Sequence, residues 1–281
     1  MVTLAQIGRI RSSVLLPSLP GVSSRIRSAI ADPTKTTLNV GAIVDEDPSL
    51  AARVVGFANS PHYGVREPVT SIEQACGILG SNTIYDLSLQ AELMGFYDGL
   101  DPKTLGDAKT MWVHAIATGR ICTILGSRFL THLNLAQDQH DGLYTVGLIH
   151  DLGMFSMFGA FRAAYVELTQ LLEHDAPILQ MREQQMFGFS HTEVGAVIGH
   201  ILGLPGDLVD AIENHHLPAV RIRNQPLTLI VSLADTVVSA ALSGTTVREE
   251  LLLVPRYLGL KEGTTIELVE LAREEIRELA A

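Results

Sequence analysis

The chain has 281 residues, of which 47% are hydrophobic and 18% charged, a balance that supplies a large core and excludes an intrinsically disordered chain. That length accommodates two domains, or one large domain with an appended part. Lys and Arg number 20 against 31 Asp and Glu, for a net charge of −11, so the average field repels nucleic-acid phosphates and anionic membrane surfaces.

The N-terminal residues lack the basic and long apolar regions of a signal peptide, and a cytoplasmic location is expected. Apolar residues then recur mostly every three or four positions, with no alternating strand pattern and no Asn-Gly hairpin, so the expected fold is all-α. Pro17, Pro20, Pro33, Pro48, Pro61 and Pro68 cut the first seventy residues into short helices, because proline is tolerated at a helix start but not inside. One piece, Pro48 to Asn59, has Asp47 as N-cap, Pro48 at its first position, and Leu50, Val54 and Phe57 on one face. Ser71 to Leu79 forms another.

The polar stretch Asp98 to Lys109, with Gly99, Pro102 and Gly106, marks a lobe boundary. The expected division is an N-terminal lobe over 1–100, a second lobe over 101–245 and a C-terminal extension over 246–281. Cys76 and Cys122 lie in apolar segments with no Cys-x-x-Cys pair, as in a reduced compartment, and neither reads as a zinc ligand.

The next helix, over Ala108 to Gly126, carries His114 on the face of Met111, Ala117, Ile121 and Leu125. His114 therefore points into the core, as a hydrogen-bonded core histidine or as a ligand. Leu143 to Phe161 is an apolar run whose one charged residue, Asp151, follows His150 in Gly147-Leu148-Ile149-His150-Asp151-Leu152-Gly153. A carboxylate there needs a compensating charge or several donors; a metal cation is one compensation, and capping of the following helix is the other reading.

Ser190-His191-Thr192-Glu193 is a capping-box pattern that puts His191 in a first helical turn. His215 and His216 close the helix that begins near Pro205, where they address neighbouring metals or cap carbonyls. Gln225 to Val247 reads as a buried helix, and Asp235 is the one charged residue between Arg223 and Arg248. From Thr264 the capping-box pattern Thr264-Thr265-Ile266-Glu267 opens an amphipathic helix with Ile266, Val269, Ala272, Ile276 and Leu279 along one side.

The order His114, His150-Asp151, His191, His215-His216, Asp235 spans about 120 residues of expected helix. A single site drawing on all of them is expected to hold one or two divalent ions, since imidazole with carboxylate suits Fe, Mn, Zn or Ni.

Leu16-Pro17-Ser18-Leu19-Pro20, Asp47-Pro48-Ser49-Leu50, Ala58-Asn59-Ser60, Tyr63-Gly64, Ser71-Ile72-Glu73-Gln74-Ala75 and Leu79-Gly80 in the first half carry a family resemblance. In the second half it is carried by Trp112-Val113-His114, Gly147 to Gly153, Gly188, His191-Thr192-Glu193-Val194-Gly195, Leu204-Pro205, Ala211-Ile212, His215-His216 and Pro218. With these the chain resembles the HDOD family, the output-domain branch of the HD metal-dependent phosphohydrolase superfamily found in bacterial signalling. The resemblance implies an N-terminal helical lobe packed on an HD-type helical domain. It implies one metal on His114, His150, Asp151 and Asp235, and a second on His191 and His215 with His216, Asp151 bridging the two and orienting a catalytic water.

Where the HD-GYP cyclic-dinucleotide phosphodiesterases have a lysine after His-Asp-x-Gly, this chain has Met154. Where their His-His is followed by Glu, it has Leu217. Turnover of cyclic dinucleotides is not expected. The resemblance implies a regulatory signalling protein with an HD-like metal site, whose partner is a signalling protein or a small phosphorylated ligand; the alternative is an active metal-dependent phosphohydrolase.

Overall fold

The computed structural model describes residues 18, 21–92, 102–130, 135–171, 176–244, 253–261 and 263–280, and all regular structure among them is helical. Helices α1 (Val22–Ala31), α2 (Thr37–Val44), α3 (Pro48–Ala58) and α4 (Ile72–Glu92) pack on one another. The Asp47 side chain accepts the Leu50 N–H at 3.0 Å and Pro48 occupies the first turn of α3. Leu50, Val54, Val55 and Ala58 of α3 are fully buried, but Phe57 is 40% exposed and lies edge-on to Tyr63. The expected face is therefore buried at Leu50 and Val54 and leaves the core only at Phe57. At the next turn, Gln74 N–H is capped by the Ser71 hydroxyl. The helix expected to end at Leu79 continues to Glu92 through a kink at Gly80, whose φ of 74° glycine adopts at little cost.

Helix α5 (Pro102–Ile124) continues into a π-helical turn over Leu125–Phe129. It begins inside the polar stretch expected to be a boundary, since Pro102 is a favoured first helical residue and Gly106 does not stop a helix already begun. The short α6 (Gln137–Asp141) and α7 (Leu143–Ile149) lead into the His150-Asp151 turn, followed by α8 (Leu152–Leu171), α9 (Ala176–Phe187), α10 (His191–Leu202), α11 (Gly206–Asn214), α12 (Ala219–Ile222) and α13 (Pro226–Ser243). Two C-terminal helices, α14 (Leu253–Tyr257) and α15 (Thr264–Ala280), complete the chain.

Helix α5 packs on α7, α13 and α15, while α8 packs on α10. Helix α3 contacts α5, α7, α8 and α10 and so joins the first four helices to the rest. By length and composition α13 is apolar enough to cross a membrane, with mean hydropathy 1.6. It is instead a core helix, buried along most of its surface from Leu227 to Ala240.

In α15, Leu268, Val269 and Ala272 are buried against α5 and α13, whereas Ile266 is exposed. The helix starts at Thr264, and the Gly263 carbonyl accepts from the Ile266 and Glu267 N–H groups, so Thr264 lies within the first turn instead of capping it.

Candidate metal centre

Five segments of the backbone bring the histidines and aspartates to one place. His150 and Asp151 sit in the turn between α7 and α8, and glycine contacts fix both sides of that turn. A Cβ on Gly147 would fall 2.7 Å from Gly119 Cα and 2.8 Å from Cys122 Sγ, so glycine lets α7 approach α5. A Cβ on Gly153 would overlap the His191 carbonyl oxygen, so glycine likewise lets α8 approach the start of α10. His191 enters as the first residue of α10, held there by a capping box between Ser190 and Glu193. His215 is the C-cap of α11, with His216 next to it, and α13 and α5 supply Asp235 and His114.

The seven side chains converge. His150 Nε2 lies 3.2 Å from Asp151 Oδ2, and His114 Nε2 lies 3.2 Å from Asp235 Oδ1 and 3.3 Å from His150 Nε2. On the other side, Asp151 Oδ1 is 3.5 Å from both His191 Nε2 and His215 Nε2. His216 joins the two sides, with Nε2 at 3.1 Å from His191 Nε2 and Nδ1 at 3.5 Å from Asp235 Oδ2. Two groups result, Asp151 with His191, His215 and His216, and His114 with His150 and Asp235. In each group the potential ligand atoms lie within 4.8 Å of one another.

Hydrogen bonds at the far side of the rings decide which nitrogen faces inward. His150 Nδ1 is 2.7 Å from the Gly147 carbonyl, and His215 Nδ1 is 2.9 Å from the Ile212 carbonyl. A carbonyl only accepts, so both Nδ1 atoms carry protons and both Nε2 atoms can offer lone pairs to the centre. His191 Nδ1 is 2.8 Å from Glu183 Oε2, with the same consequence.

This donor set fits a divalent cation. Asp151 Oδ1 and His215 Nε2 are buried without a hydrogen-bond partner, whereas most buried polar atoms in proteins have one. Facing lone pairs at about 3 Å repel unless a proton or a metal lies between them. In the absence of a cation, protons fill that need. Burial disfavours the charged form of His150, but Asp151 and then Asp235 outweigh it and push its pKa up to about 10. Burial would likewise raise both carboxyls, yet the surrounding imidazoles hold Asp151 and Asp235 well below the usual carboxylate range. His216 goes the other way, pushed down by burial and then by neighbouring His215.

The capping reading of Asp151 fails on geometry, because its carboxylate is turned to the four imidazoles. Two residues beside the centre were not expected from sequence, Glu183 of α9 and Tyr165 of α8. Glu183 is fully buried and accepts from the Tyr165 hydroxyl at 2.6 Å. Its spacing from Leu179 and Phe187, four residues each way, is the signal that could have placed it on an inward face.

The HDOD domain family matches residues 16–218. The chain belongs to that family. Asp235 lies beyond the match and reaches the centre from α13. Among solved structures, the MmoQ response regulator from Methylococcus capsulatus aligns with a TM-score of 0.69 at 20% identity, over 90% of this chain and 97% of that one. A virulence factor from Campylobacter jejuni aligns with a TM-score of 0.67 at 17% identity, over 96% of each chain. An HDOD domain protein of unknown function from Geobacter sulfurreducens reaches 0.51 at 24% identity, over 97% of each. An uncharacterized protein of Treponema pallidum is 24% identical over 249 residues, 86% of this chain. The chain spans about half the length of that curated relative, 45% of it.

Proposed function

We propose that this chain is a regulatory HDOD protein of the signal-transduction type, built around a centre for two divalent cations. One observation carries the reading: five imidazoles and two carboxylates converge in two groups on either side of Asp151, with buried donor atoms left unsatisfied. His114, His150 and Asp235 would hold one cation and His191, His215 and His216 the other, with one oxygen of Asp151 turned to each group. The donors suit Fe, Mn, Zn or Ni.

Bound cations would supply Lewis acidity toward water and phosphoryl oxygens. The chain's own residues favour regulation over turnover. Met154, at the position of the phosphodiesterase lysine, is packed against the hydrophobic core and offers no charge to a phosphate. Among the described residues, no Lys or Arg is ion-paired with Asp151 or Asp235. The response-regulator designation of the Methylococcus relative agrees with this assignment. The phosphohydrolase alternative draws on the same centre, with Asp151 orienting the water. Its ligand in either case is a signalling protein or a small phosphorylated molecule, and neither nucleic acid nor membrane.

Metal analysis of protein purified without chelator tests the proposal. One to two divalent ions per chain are expected, with the content reduced in Asp151→Ala and in Asp235→Ala. Metal-free protein that takes up none of Mn, Fe, Zn or Ni would overturn it.

A further inference from the structure

Glu183 is a buried carboxylate that belongs to neither ligand group. Its Oε1 accepts from the Tyr165 hydroxyl at 2.6 Å, and its Oε2 accepts from the backbone N–H of His191 at 2.9 Å and lies 2.8 Å from His191 Nδ1. Among the described residues no Lys or Arg is ion-paired with it. A carboxylate without a cation is costly to bury, and three donors offset that cost. An anion beside the first N–H of α10 is also favoured by the helix dipole. A cap alone would use the backbone N–H and leave the imidazole free to turn.

Here one carboxylate oxygen meets both the N–H and the ring Nδ1 of the same residue, which fixes the ring's orientation together with its tautomer. The opposite edge is thereby aimed at the centre, with Nε2 at 3.5 Å from Asp151 Oδ1 and 3.1 Å from His216 Nε2. His150 and His215 are held by neutral carbonyls instead. A carboxylate behind an imidazole makes it a stronger donor than a carbonyl does, and loss of such an outer partner typically weakens metal binding about 10–100-fold.

We propose that Glu183, anchored by Tyr165, is the positioning residue for the cation position formed by Asp151, His191, His215 and His216, and makes the two cation positions unequal. The proposal rests on the two-cation reading above. Calorimetric titration of the metal-free full chain with Mn²⁺ tests it. Wild type should bind two ions, and Glu183→Gln should weaken one of them about 10–100-fold while the other stays within about threefold. In a His191→Ala background Glu183→Gln should change nothing further, because the effect passes through that ring. Equal weakening of both ions, weakening of neither, or the same loss with His191 absent would overturn the proposal.

If Glu183→Gln does not fold, Tyr165→Phe takes its place, with several-fold weakening of one ion expected and unchanged binding overturning the proposal. If wild type binds none of Mn²⁺, Fe²⁺, Zn²⁺ or Ni²⁺, the two-cation reading fails by itself, and histidine NMR of metal-free protein decides the positioning role. A downfield Nδ1 proton on His191 that moves upfield in Glu183→Gln supports it; the same resonance in both proteins overturns it.

Discussion

Asp47 and Asp151 are both buried aspartates placed just before a helix, and the chain uses them differently. Asp47 accepts the Leu50 N–H and so caps the backbone of α3. Nearby Asn59 does likewise, donating to the Val55 and Val69 carbonyls and accepting from Val69 N–H. Asp151 instead faces His114, His150, His191 and His215, and its Oδ1 has no hydrogen-bond partner. Buried polar groups that end on backbone hold the first helices together. Those that end on one another leave charge and lone pairs for something else to satisfy.

The sharpest way to strain that contrast is to disturb the packing around Asp151 without touching a ligand. Gly153→Ala places a methyl group on the His191 carbonyl, a backbone atom that cannot turn aside. Its cost is expected at or above the top of the roughly 1–3 kcal/mol range of overpacked sites. Displacement of His191 should also weaken Mn²⁺ binding. Urea denaturation measures the first effect, and a loss below about 1 kcal/mol would mean that α8 and α10 separate easily.

The helical class was legible because the three-and-four spacing of apolar residues runs through most of the chain and nothing alternates. The convergence of these side chains was legible because Asp151 and Asp235 are lone charges in apolar segments, and a buried carboxylate demands a partner whatever the fold. Glu183 escaped notice for the opposite reason. It stands among Gln180, Arg182, Gln184 and Gln185, and the apolar neighbours Met181 and Met186 are exposed, so the inward stripe of α9 is blurred. Phe57 and Ile266 misled in the same manner: spacing shows which residues share a face, but neighbouring helices decide how wide a face is covered. The kink at Gly80 followed from a backbone conformation that a glycine permits but does not require.

A smaller effect distinguishes the two aspartate environments by pH. In metal-free protein His150 is pushed up to about 10 by Asp151 and Asp235 against the opposing effect of burial. A histidine raised on folding contributes stability that is full below its unfolded pKa near 6.5 and is lost as pH rises through about 10. A cation must displace that proton, so its affinity rises with pH over the same window, by up to about tenfold per pH unit for each proton released. The Mn²⁺-induced rise in Tm should therefore be greater at pH 8 than at pH 6.5, by scanning calorimetry at fixed Mn²⁺. An equal or smaller rise at pH 8 would mean that His150 carries no proton for the metal to displace.

Thermal melts of wild type, Asp151→Ala and Asp47→Ala, each in Mn²⁺ and in EDTA, address the central claim most directly. Wild type should gain about 2.7 kcal/mol at Mn²⁺ a hundredfold above Kd. Asp151→Ala should give the same curve in both conditions. Asp47→Ala should lose about 0.5–2 kcal/mol of helix capping in both and keep the Mn²⁺ gain. Identical wild-type curves in Mn²⁺ and EDTA would contradict the account, because the unsatisfied atoms around Asp151 would then be stable without a cation.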